Sequence, residues 1–185
     1  MTATDPEWVV DDEDVPDEAT LFRRVPDQPD FLDVDLNGGP PRLGLGVFSY
    51  KDEDGMSVYV SSRMKDEDIS DEELIDWKRV YLCRFPVATV RRADAATPYP
   101  DGTAPVGSDT ETAGGVVLDV ASFPDDERVQ RSHGLVRIPI PPKAAGWRPM
   151  WNAFRIKLMQ ATHVKVAKSA DWIVPTTNGD PARST

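Results

Sequence analysis

The sequence predicts a single α+β domain with an antiparallel or mixed sheet and two main helices, preceded by an acidic disordered segment. Three observations predict it. The chain has 185 residues, the length of one domain that can bury a sizeable core without disulfides or metals. Strand-like segments outnumber helical ones and do not alternate regularly with them, which disfavours a doubly wound parallel sheet. One long segment, Trp147 to Ala161, carries apolar residues at helical spacing.

Residues 1–19 read as an acidic disordered tail. Asp11, Asp12, Glu13 and Asp14 repel one another, and little apolar surface offsets the entropy of ordering. Trp8, Val9 and Val10 form a small apolar island expected to dock on the domain. The domain is expected over 20–175, with a loose tail over 176–185. Thr20–Val25 reads as a first strand closed by Pro26. Gly38, Gly39, Pro40 and Pro41 mark a loop. Leu43–Tyr50 and Met56–Ser61 read as a hairpin across the polar turn Asp52-Glu53-Asp54-Gly55. In its second strand Met56, Val58 and Val60 face one way, and Ser57, Tyr59 and Ser61 the other.

Ser70 and Glu73 form a capping box, predicting a helix over Asp71–Val80. Val80–Val90 reads as a strand broken at Pro86. Ala93–Gly115, poor in large apolar residues, reads as a long surface loop. Val116–Val120 is a short strand, and Pro124 with the acids after it marks a helical turn. Leu135–Ile140 reads as an edge strand, because Pro139 cannot donate to a ladder. Trp147, Met150, Trp151, Phe154, Leu158 and Ala161 then give the second main helix its buried stripe. Val164–Val166 and Asp171–Val174 are possible closing strands.

Composition excludes several classes. One cysteine rules out a disulfide framework. Two histidines leave little material for a histidine metal site, and no metal is expected. No apolar run is long enough for a membrane span, and no secretory signal opens the chain, so a cytoplasmic location is expected. The net charge is −11. It is unevenly placed: residues 1–76 hold 6 basic and 22 acidic residues, net −16, and residues 77–185 hold 15 and 10, net +5. Lys143 to Lys168 contains no acid. Such asymmetry fits either internal neutralisation or a partner-binding face. Net acidity disfavours general nucleic-acid binding.

No catalytic signature stands out, and no cofactor is expected. Cys83 with His133 or His163 is a formal nucleophile–base pair, but Cys83 lies in an apolar run and is expected to be buried. His133, just before a strand, reads as a structural or loop-anchoring residue. Asp52, Asp54 and Gly55 give only part of a calcium loop, and Gly44-Leu45-Gly46 lacks the third glycine of a dinucleotide fingerprint. The leading expectation is therefore a non-catalytic interaction or accessory protein, of regulatory, immunity or defence type. Arg148, Arg155 and Lys157 are the candidate residues for binding a protein partner, lying off the apolar stripe toward solvent or the acidic half.

The order Leu21-Phe22-Arg23-Arg24-Val25, Phe48, Met56-Ser57-Val58 and His133-Gly134-Leu135-Val136 resembles a set of small bacterial proteins without an assigned activity. Those proteins share a leucine-aromatic-Arg-Arg-Ile/Val first strand, and the likeness implies a fold relation over Thr20–Ile138. An arginine on a first strand followed by Val58-Tyr59-Val60-Ser61-Ser62 is similar to RES-type and ADP-ribosyltransferase-like domains. That resemblance implies the alternative function, an NAD-consuming or ADP-ribosyl-transferring enzyme. Arg23 or Arg24, Tyr59, Ser61 and Ser62 would then line the NAD site. The family's downstream glutamate has no match, since Glu111 and Glu127 stand in loop-like context.

Overall fold

Residues 11–28, 30–33, 40–49, 55–75, 81–91, 116–117, 128–166 and 171–177 are described in a computed structural model. The first strand forms where the sequence predicts it, β1 (Thr20–Val25). Short β2 (Leu32–Asp33) and β3 (Arg42–Leu43) follow, then β4 (Met56–Val60), β5 (Tyr81–Pro86), β6 (Val116–Val117), β7 (His133–Arg137), β8 (His163–Val166), β9 (Trp172–Ile173) and β10 (Thr176–Thr177). Seven of these make one sheet in the order β6-β7-β4-β1-β5-β8-β9, antiparallel throughout. β10, β3 and β2 make a second, small sheet. The helices are α1 (Ser61–Asp66), α2 (Val87–Arg91), α3 (Arg128–Arg131) and α4 (Trp147–Gln160). The architecture is a single α+β domain.

Each strand of the large sheet sorts its side chains by the period of two. One face carries Leu21, Val25, Met56, Val58, Val60, Phe85, Val136 and Val164 into the main core, where Trp151, Phe154 and Leu158 of α4 join them. Trp147 and Met150 pack against its margin, completing the expected stripe. Gly146, at φ +85°, supplies the left-handed turn that launches α4. The other face carries a smaller core of Tyr59 and Leu82 with Met64, Ile69 and Leu74 from the chain that crosses it.

Several expected elements differ. Of the strand expected over Leu43–Tyr50, Leu43 belongs to β3, Tyr50 lies outside the described residues, and β4 has β1 and β7 as its partners. Leu45–Phe48 instead forms a 3-10 turn. Gly44 and Gly46 allow it, since a Cβ at either would strike the Asp30 carbonyl or the Phe31 ring. The helix expected over Asp71–Val80 is a single 3-10 turn, Glu72–Leu74, and residues 76–80 lie outside the described ones. Half of the capping box forms, with the Ser70 N–H donating to the Glu73 carboxylate at 3.0 Å. Asp71 and Glu72, however, turn to Lys165 at 3.1 and 2.7 Å, and the chain leaves the turn extended at Ile75. Past Pro86 the chain becomes α2 rather than continuing as strand. The strand expected at an edge over Leu135–Ile140 is interior, and it ends at Arg137, before Pro139 can break a ladder. Thr176 and Thr177, expected in a loose tail, pair with β3.

Residues 11–19, expected in the disordered tail, are packed instead. Val15 is buried in the main core. Arg91 holds the segment, donating to the Val15 carbonyl at 2.7 Å and pairing with Asp11 and Asp17. Ion pairing thus offsets the self-repulsion of the acids. The island at Trp8–Val10, the Ala93–Gly115 loop, the turn at Pro124, and Asp52 and Asp54 fall outside the described residues.

Phe154 has no exposed surface, and Phe154→Ala should cost roughly 3–5 kcal/mol in equilibrium unfolding. Arg148 is exposed, so Arg148→Glu should change stability by no more than about 0.5 kcal/mol. Lys157, expected to face solvent, is a correction: it has no exposed surface, and its amine meets no hydrogen-bond partner among the described residues. One turn of helix separates it from Phe154, so it lies on the buried side of α4. Burial pushes its pKa down to about 8. The unfolded chain then binds more protons between pH 8 and 10.5, so stability rises with pH across that window. Lys157→Met should raise the unfolding midpoint at pH 7 and remove that increment.

Candidate functional site

The second face of the sheet carries an unusual row of polar and cationic side chains. Alternation and register place Ser57 and Tyr59 of β4, Phe22 and Arg24 of β1, Leu82 and Arg84 of β5, and His163 and Lys165 of β8 on that face. His133 stands directly opposite Tyr59 across β4 and β7. Two groups result. At one end Trp172 meets Phe22 at 5.9 Å, and the Arg84 guanidinium lies 4.3 Å from its ring centre. Lys165 stands 5.8 Å from the same ring and is held by Asp71 and Glu72. Glu72, hydrogen-bonded to Asp71 and Lys165, has its carboxyl pulled down to about 2, while burial raises that of Asp71.

The other group joins Ser57, Tyr59, His133 and Arg24. Ser57 Oγ is in hydrogen-bond contact with His133 Nε2. The His133 ring meets Tyr59 edge to face at 5.5 Å. Arg24 spans the Tyr59 ring, its guanidinium carbon 4.8 Å from the centroid, and donates to the Tyr59 hydroxyl. Arg63 of α1 donates to the His133 carbonyl at 2.8 Å and pairs with the Asp12 carboxylate. Tyr59 and His133 are buried, whereas Ser57 and Arg24 are half-exposed. The cluster therefore opens to solvent through its serine and its arginine.

A second arginine supports this cluster from behind. Arg23 turns to the opposite face, across from Cys83. It donates to the carbonyls of Val47, Ser57 at 2.6 Å and Ser49 at 3.1 Å. The residue keeps some exposed surface, but burial of its guanidinium lowers the pKa to about 10. The fork of donors ties the 3-10 turn at Leu45–Phe48 to β4 at the very residue whose side chain contacts His133.

Electrostatics follow from this placement. Burial pushes the pKa of His133 down to about 4, and the charges of Arg24, Arg23 and Arg63 push in the same direction. His133 is thus a neutral imidazole in a positive potential at pH 7. A general base works best with a pKa near the operating pH, and a conjugate acid at about 4 makes His133 a weak acceptor of the Ser57 proton. The same potential favours an anion beside the imidazole.

The structure separates the other predicted residues. Cys83 is buried on the main-core face with its thiol pushed up to about 12 by burial, while His133 and His163 lie on the opposite face, so no cysteine–histidine pair forms. Ser61 accepts from the Thr20 N–H at 2.8 Å and opens α1. Of the partner-binding candidates, Arg148 is exposed, Arg155 is half-buried and Lys157 is in the core. Among the described residues, no group of three or more His, Cys, Asp or Glu side chains comes together to hold a metal ion, and no helix is long and apolar enough to cross a membrane. Sequence reasoning placed Ser57 and Tyr59 on one strand face but did not bring His133 to them. The contact needs the β4–β7 register, and residues 57 and 133 are too far apart in the chain for any local signal.

No family model, curated protein or solved structure matches this chain. What the cluster can do is therefore read from its own chemistry.

Arg23→Lys tests the support. A lysine offers one point donor where the guanidinium serves carbonyls of two segments. It should cost roughly 1–3 kcal/mol in urea unfolding, through acceptors left unsatisfied. Arg24→Lys should cost clearly less.

Proposed function

We propose that this protein is a non-catalytic binding protein that recognises an anionic group, carboxylate or phosphate, carried by a protein partner. One observation carries the reading: Arg24, Tyr59, Ser57 and His133 converge on one sheet face, where Arg23, Arg24 and Arg63 together make the potential at His133 positive. Guanidinium, hydroxyl and imidazole groups are the donors that oxyanions accept from. The low basicity of His133 favours binding over nucleophilic catalysis. Arg148 and Arg155 on α4 are a further cationic surface for such a partner.

Inorganic phosphate serves as the probe, followed by NMR on the full chain. Resonances of Ser57, Tyr59 and His133 should shift on titration, and Arg24→Met should abolish the shift while the fold is retained. Shifts confined to other residues, or equal binding by Arg24→Met, would refute the reading.

The alternative, an NAD-consuming or ADP-ribosyl-transferring enzyme, draws support from the meeting of Arg24 with Tyr59. Incubation with NAD decides between them. The binding reading expects no nicotinamide release. Release that disappears in both Arg24→Met and Tyr59→Phe would favour the enzyme.

A further inference from the structure

We infer that the acidic segment 11–17 is an internal competitor for the anion site, a strap whose Asp12 carboxylate must yield before an external anion is held at full strength; the inference rests on the binding reading above. The strap is built at both ends. Asp12 takes the guanidinium of Arg63, the same group that donates to the His133 carbonyl and adds to the positive potential at its ring. Arg91, projecting from the end of α2, clamps the rest. It pairs with Asp11 at 2.9 Å and Asp17 at 2.8 Å, and donates to the carbonyls of Val15 and Asp12 at 2.7 and 2.9 Å.

The backbone between these points is shaped to deliver the carboxylate. The Val15 N–H donates to the Asp12 carbonyl at 3.1 Å, and the Asp14 N–H to the Asp12 carboxylate at 3.0 Å, closing a turn. Val15 is seated in the core, which fixes the position of the turn. Past it, the Ala88 N–H donates to the Asp17 carbonyl at 3.2 Å. An aspartate carried on such a turn has the chemistry of the proposed ligand. While it neutralises Arg63, an incoming anion meets a weaker field and must compete for that guanidinium. The acids of residues 11–17 thus gain a role beyond solvation: they set the threshold at which the cluster accepts an anion.

The test measures inorganic phosphate binding by the full chain at fixed ionic strength. Asp12→Asn should tighten binding about tenfold, as expected for removal of one competing charge-assisted pair. Asp11→Asn/Asp17→Asn, which loosens the clamp without touching Arg63, should tighten it in the same direction. In the wild-type chain, saturating phosphate should accelerate hydrogen exchange at the Val15 amide. Unchanged affinity in Asp12→Asn and in the double variant, with binding still lost in Arg24→Met, would overturn the strap and leave the binding reading standing. Failure of every variant and the wild type to bind phosphate would overturn both.

Discussion

The guanidinium of Arg23 ties the segment around the 3-10 turn at Leu45–Phe48 to the centre of the large sheet. It stands on the strand at the centre of the large sheet, yet its acceptors belong to β4 and to the 3-10 turn over Leu45–Phe48. That turn packs against α4, whose Phe154 and Leu158 fill the core beneath the sheet. A positive charge placed there is costly unless its donors are met, and main-chain carbonyls meet them. The same bond holds the Ser57 carbonyl, so the strand segment bearing the Ser57–His133 contact is fixed from behind.

From that constraint the character of the other face follows. With Arg23 committed beneath the sheet, Arg24 must project above it. It lands on Tyr59, and Arg63 reaches the His133 carbonyl from α1. Cations that serve structure on one face add to the potential on the other. Part of the uneven charge of the chain is met by pairing across the two halves. Asp11 and Asp17 meet Arg91, Glu73 meets Arg128, Glu67 meets Arg131, and Asp71 and Glu72 meet Lys165. These pairs join acids of the first half to bases on α2, α3 and β8.

Some of this was legible from residue order. Thr20–Val25 is closed by Pro26, Met56–Val60 alternates cleanly, and the stripe from Trp147 to Leu158 has helical period over about three turns, so β1, β4 and α4 were readable. The errors share a cause: local signals were overruled by distant partners. Half of the capping box at Ser70 forms, but Lys165, more than ninety residues away, draws off Asp71 and Glu72. Leu43–Tyr50 has strand composition, but its glycines yield to the Phe31 ring. The acids at Asp11–Asp17 look like a solvated tail until Arg91 and Arg63 are placed beside them. Lys157 is charged and off the principal stripe, yet α4 is covered more widely than that stripe. The site was half legible: both arginines and Tyr59 stood out in the sequence, whereas the meeting of Ser57 with His133 is a consequence of strand register alone.

His133 sits desolvated within a positive field to which three arginines contribute. NMR titration of the His133 imidazole in the full chain tests it most directly. A midpoint near pH 4, well below the ordinary histidine value of 6.5, is the predicted result. A midpoint at or above 6.5 would contradict the account, because the imidazole would then be solvated or paired with a negative charge.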